Sequence, residues 1–107
     1  FSTHFTAEAP VTDVSDVFLK QYKEKFNKDA NAFAALGYDA YMVILDAIEA
    51  ANSTDSKAIR DKIAETKDFV GATGNITLDE NGDAVKSAVI NKVENGEFVY
   101  LTTVEPE

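Results

Sequence analysis

Ala35-Leu-Gly-Tyr-Asp-Ala-Tyr-Met-Val-Ile-Leu-Asp-Ala-Ile-Glu-Ala50 is the stretch whose reading decides the fold class. It belongs to a helix predicted from about Asn31 to Ala51, with Phe33, Leu36, Tyr38, Ala40, Tyr41, Val43, Ile44, Leu45, Ala47 and Ile48 apolar and only Asp39, Asp46 and Glu49 charged. A helix apolar around most of its circumference is normally buried between two layers. Helices of that kind usually cover a parallel sheet. The chain has 107 residues, enough for one domain and too few for two, and little of it is left to build that sheet. The expectation is an α/β architecture in which this chain is cut from a larger whole.

Working outward, Val14, Val17, Phe18, Tyr22 and Phe26 form one apolar stripe on a helix from about Asp13 to Asn27, with Thr12 or Asp13 as its cap. Upstream, Phe1 to Thr6 alternates apolar and polar residues as the end of a strand without a neighbouring partner, and Ala7 to Val11, with Pro10, reads as a loop. Downstream, Thr54 or Asp55 caps a third, surface helix to about Thr66, carrying only Ala58, Ile59 and Ile63 as apolar residues. Phe69-Val-Gly-Ala-Thr-Gly74 reads as a glycine-punctuated loop, Ile76-Thr-Leu78 as a short strand and Asp79 to Asp83 as a turn. Strands over Ser87–Val93 and Phe98–Val104 flank Asn95-Gly96, a strong hairpin signal because both turn residues must take positive φ.

Composition narrows the function classes. Nineteen acidic against ten basic residues give a net charge of −9, which leaves no basic face to neutralise phosphates. Nucleic acid is therefore not an expected partner. The Lys20-Gln-Tyr-Lys-Glu-Lys25 interleaving is broken by Glu24 and reads as a solvated helix face. With no cysteine, disulfides, thiol nucleophiles and thiolate metal sites are excluded. No apolar run reaches the roughly 20 residues that span a bilayer. A start at Phe1 with no export signal predicts a processed or truncated beginning.

Chemistry-bearing motifs are sparse, so no enzyme and no cofactor are expected. His4 is the only histidine and has no companion nucleophile or ligand set; none of the five serines sits in a Gly-x-Ser-x-Gly elbow. Asp79-Glu-Asn-Gly-Asp83 has oxygen ligands at alternate positions, but a calcium loop would want Gly where Ala84 stands and Glu where Ile90 stands. Gly71-Ala-Thr-Gly74 lacks the Lys-Ser/Thr and following helix of a phosphate loop. Asp39 is unusual, since a carboxylate in an apolar helix must be paired. It is read either as a helix-cap or hinge partner, or as a contact to a ligand's ammonium group. Phe33, in the first turn of the same helix, is read as core.

Three blocks bring a family into view: Ala35 to Ala50, Phe69 to Asp83, and Ala88-Val-Ile-Asn-Lys-Val-Glu-Asn-Gly-Glu-Phe98. In order and spacing they resemble the branched-chain amino-acid (Leu/Ile/Val) binding proteins of ABC importers, over nearly the whole chain. The resemblance implies the C-terminal segment of a two-lobe type I periplasmic-binding-protein fold, with three helices followed by a short strand and a β-hairpin. It implies a first-lobe segment over residues 1–84, and a hinge crossing and second-lobe hairpin over 85–107. It further implies an extracytoplasmic location (periplasm or cell-surface lipoprotein), an amino-acid ligand, an ABC permease, and the rest of a parent chain as partners. An isolated segment of that kind is expected to associate or domain-swap. By the same resemblance Phe33 gains a ligand-binding role, with Tyr38 and Asp39 as second candidates near the cleft or hinge. The other readings are a free-standing interaction module that uses the apolar helix, and a sensor domain of the same fold.

Overall fold

The computed structural model describes residues 1–106. Three helices form where the sequence supplies caps: α1 over Asp13–Phe26, α2 over Ala32–Ala51 and α3 over Ser56–Ala64. Thr12 and Ser15 close a reciprocal capping box on α1, Asn31 accepts from the amide of Ala34 at 3.0 Å, and Asp55 from that of Ala58 at 3.0 Å. Each cap satisfies an amide that the first helical turn leaves orphaned. Asn27 and Asn52 end α1 and α2 in the left-handed conformation, at φ 51° and 46°, which asparagine tolerates better than branched residues.

Six strands complete the chain: β1 Ser2–Thr3, β2 Phe69–Gly71, β3 Gly74–Leu78, β4 Ala84–Val85, β5 Ala88–Glu94 and β6 Glu97–Val104. They pair in two antiparallel sheets, ordered β1-β5-β6 and β2-β3-β4. The final hairpin turns at Asn95 and Gly96, both at positive φ. The opening strand is shorter than its alternation predicts, and it does have a partner: Ser2 faces Ile90 and Thr3 faces Val89. That pairing spans most of the chain, which is why no local signal disclosed it.

One expected loop proves to be a hairpin. Phe69–Gly71 is strand β2, in register with β3 through Phe69 to Ile76, Val70 to Asn75 and Gly71 to Gly74, leaving only Ala72 and Thr73 as the connection. Three residues are too few for alternation to show, and two glycines signal a turn more strongly than a strand. β4, likewise two residues long, pairs Val85 and Ala84 with Thr77 and Leu78.

The core lies between α1, the start of α2 and the β2–β3 connection. Phe5, Phe18, Ala35 and Ala72 are buried there, with Val14, Leu19, Tyr22 and Tyr38 packed around them. The rings of Phe5 and Phe18 meet edge to face at 6.2 Å, and Phe18 lies 5.0 Å from Tyr38. α3 lies on α2 with Ile59 and Ile63 half-buried and no residue fully so, as its weak apolar stripe predicts. α2 itself is far from sandwiched: only Ala35, Asp39 and Ala47 are buried along its 20 residues, while Tyr41 and Ile44 are exposed.

Uncovered faces show in the dimensions. The accessible surface is 7355 Å2, against about 5,800 Å2 for a folded monomer of this mass. The radius of gyration is 15.2 Å, where about 13 Å is usual for this length.

Ser15 is fully buried, its hydroxyl donating to the carbonyl of Ala72 at 2.7 Å while accepting from the amide of Thr12 at 3.2 Å. Ser15→Ala orphans both groups and is expected to lower unfolding free energy by about 1–3 kcal/mol. Urea denaturation with an unchanged m-value is the check.

Candidate functional site

Asp39 is the one carboxylate of α2 sealed from solvent, at 2 % exposure. Its Oδ1 accepts from the amide of Ala72 at 2.6 Å; its Oδ2 accepts from the amide of Thr73 at 2.8 Å and from the Thr73 hydroxyl at 2.6 Å. From the other side, the cap of α1 holds the carbonyls of the same connection. Thr12 Oγ1 donates to Gly71 O at 2.8 Å, and Ser15 donates to Ala72 O. The β2–β3 connection is thus gripped through its donors by α2 and through its acceptors by α1.

Gly71 makes this possible by absence of volume. A Cβ there would lie 2.7 Å from the Asp39 carboxylate carbon and both of its oxygens. Gly74 takes φ 110°, so the second glycine meets a backbone demand and the first a steric one.

Lys86 joins the cluster from the segment between β4 and β5: its ammonium donates to Thr73 Oγ1, which passes its own hydrogen to Asp39. Burial holds the Lys86 ammonium below the ordinary lysine value, with the negative charge of Asp39 opposing that shift. His4 stands alongside, its Nδ1 3.1 Å from the carbonyl oxygen of Ser87, so that Nδ1 carries the hydrogen.

Two of the cavities against α2 have mainly apolar walls. One, of roughly 480 Å3, has apolar walls from Leu36, Ala40, Val43, Ile44, Ile63, Ile76 and Leu78, and a polar end formed by His4, Asp39 and Lys86. The other, of roughly 320 Å3, is aromatic and lies between α1 and α2 against Phe18, Tyr22, Phe26 and Tyr38. Among the described residues no group of three or more His, Asp or Glu side chains is placed to hold a metal ion.

The three residues singled out from sequence do not converge. At about 100° per residue, Phe33, Tyr38 and Asp39 are spread around the helix. Phe33 points outward at 84 % exposure, Tyr38 lines the aromatic cavity, and Asp39 closes the polar end of the other. Gly71, Thr73 and Lys86 carry as much of the site as Asp39. The glycines and the odd carboxylate were visible separately; the close approach of Gly71 to Asp39, 32 residues away, was not.

The arrangement has close parallels. The periplasmic binding protein family matches residues 1–97. This chain belongs to that family. A leucine binding protein, LivK, from Thermotoga maritima is 48% identical over 99% of the chain, with a TM-score of 0.89. LivJ from Streptococcus pneumoniae, a branched-chain amino acid transporter substrate binding protein solved with isoleucine, is 32% identical over 99%, with a TM-score of 0.86. A solute binding protein from R. palustris in complex with benzoate shares the fold at 18% identity over 98%, with a TM-score of 0.83. The chain spans about 30% of the length of each of the first two and 29% of the third.

The type I periplasmic-binding-protein fold explains the unusual surface. These elements match a part of that fold, three helices and two small antiparallel sheets, and the family is one of binding receptors. No described helix is long and apolar enough to cross a membrane.

Two outcomes test the grip on the β2–β3 connection. Gly71→Ala must displace a short, fully hydrogen-bonded carboxylate and is expected to cost about 1–3 kcal/mol. Asp39→Ala strands two buried amides and should cost on the order of 3 kcal/mol, with amide exchange at Ala72 and Thr73 accelerating together. A pH effect follows from Lys86. Unfolding returns it to its ordinary value of 10.5, so just below that value the unfolded chain binds more protons than the folded one. Stability attributable to Lys86 therefore rises with pH as the folded-state group deprotonates. Comparing melting curves of wild type and Lys86→Met across alkaline pH should show that increment only in the wild type.

Proposed function

We propose that this chain forms the C-terminal part of the extracytoplasmic receptor of an ABC importer for amino acids, with a branched-chain ligand (Leu, Ile or Val). The observation that carries this reading is the 48% identity to a leucine binding protein along 99% of the chain. The isoleucine-bound relative points to the same ligand class.

In this reading residues 1–84 belong to the first lobe, and 85–107 cross the hinge and return to the second. The chain crosses near its start and again near Val85 to Ala88, where His4 lies against Ser87. Ligand capture closes the lobes, and the closed form is presented to a membrane permease. The receptor resides in the periplasm or is held at the cell surface as a lipoprotein. The exposed ring of Phe33 packs against the ligand's side chain. Tyr38 and Asp39 support the cleft from behind, Tyr38 through the aromatic core and Asp39 through the β2–β3 connection. The apolar face of α2 is covered by the rest of the receptor.

Calorimetry separates the pieces. The 107-residue chain alone is expected to show no useful leucine affinity; tight binding by it would refute the assignment of most ligand contacts to the rest of the receptor. In the intact receptor, Phe33→Ala is expected to weaken leucine binding about tenfold or more, since full burial of a Phe side chain is worth about 1.5–3 kcal/mol.

A further inference from the structure

Two segments of chain join the sheet β1-β5-β6 to the body made of α1 to α3 and β2-β3-β4: the stretch after β1, and Lys86-Ser87 before β5. They run side by side, as the His4–Ser87 contact shows. The extended contacts of the fold lie within each part. β5 packs with β6 and β1; α2 packs with α3, and β2 with β3, α1 and α2. Among the described residues no helix shares an extended contact with the outer sheet, so the contacts at the crossing carry most of its attachment to the body.

Those contacts differ in kind. Phe5 anchors the first segment by burying its ring beside Phe18, Ala35 and Ala72. The burial itself is non-directional, and only the edge-to-face meeting of Phe5 with Phe18 gives it a preferred orientation. Glu8 accepts from the amide of Tyr100 at 3.3 Å in an exposed position, where water competes. The chain Lys86 to Thr73 to Asp39 is different: it is directional, its Thr73 and Asp39 members are sealed from solvent while Lys86 is half-buried, and it ends on an α2 carboxylate already fixed to the β2–β3 connection by two amides. Thr73 and Asp39 are 0 % and 2 % exposed, so a lost donor there is not replaced by solvent without rearrangement. Lys86 itself lies between strands and belongs to neither.

We propose that Lys86 is a positioning residue: acting through Thr73 on Asp39, it sets the angle at which the outer sheet leaves the helical body. In the receptor proposed above, that angle is the resting opening of the cleft; this consequence rests on that reading, and the angle does not.

Residual dipolar couplings measured on the 107-residue chain, with alignment tensors fitted separately to β1-β5-β6 and to the body, test it. Wild type should give one common tensor. Lys86→Met and Thr73→Val should each separate the two tensors, with the double variant no worse than either single, because both cut the same chain. Lys86→Arg, which keeps a donor, should restore the common tensor. Ala72 and Thr73 amides should stay protected in Lys86→Met, which distinguishes a changed angle from a loosened fold. Coincident tensors in both single variants would overturn the proposal, as would loss of amide protection accompanying every tensor change. Leucine titration of the intact receptor reads the other half: no binding by wild type sinks the receptor reading and leaves the angle result standing. Altered angle with unaltered leucine affinity in Lys86→Met refutes the link between them.

Discussion

The carboxylate of Asp39, set in the apolar helix α2, ties the helical body to the β2–β3 connection. Burying such a group unpaired would cost several kcal/mol. Three donors from Ala72 and Thr73 offset that cost and fix the connection against α2. The fixed connection then offers its carbonyls to Thr12 and Ser15, which ties α1 to the same point. Gly71 leaves the space in which the carboxylate sits. Two helices, a hairpin and the crossing segment therefore share one polar knot, and the aromatic core of Phe5, Phe18 and Tyr38 fills the volume beside it.

Around that knot the chain is strongly anisotropic. Its surface exceeds that of a typical monomer of its mass by roughly a quarter. Much of the surplus is apolar and ordered along α2 and the β5–β6 hairpin, where Tyr41, Ile44, Phe98 and Leu101 are exposed. Matching relatives are about three times as long, and in a two-lobe fold such faces are the ones that neighbouring layers cover. A net charge of −9 keeps the remaining surface well solvated.

The same geometry separates roles that sequence position alone runs together. Phe33, Tyr38 and Asp39 are near neighbours in the chain yet occupy an open face, an aromatic cavity and a sealed polar knot. Of the three, Phe33 presents its side chain outward, whereas both oxygens of Asp39 are already occupied by donors of this chain. The outward-facing ring of Phe33 and the sealed carboxylate of Asp39 thus lie within two helical turns of each other on one element.

What the sequence determined by itself was local. Helix starts followed from short capping side chains, Thr12 or Asp13 for the first helix and Thr54 or Asp55 for the third, and the last hairpin followed from Asn95-Gly96, whose backbone must take positive φ. The excess of apolar residues on α2 announced missing layers because periodicity and length are both readable from one strand of text. The odd carboxylate and paired glycines were legible as anomalies. Only the tertiary structure decided that they are one feature, that Phe69–Gly71 is a strand, that β1 pairs with β5, and that Lys86 reaches Thr73. Each of those is a contact between residues far apart in the chain, or an element of two or three residues. Neither leaves a period or a cap, because the partner that stabilises it is supplied from elsewhere in the fold.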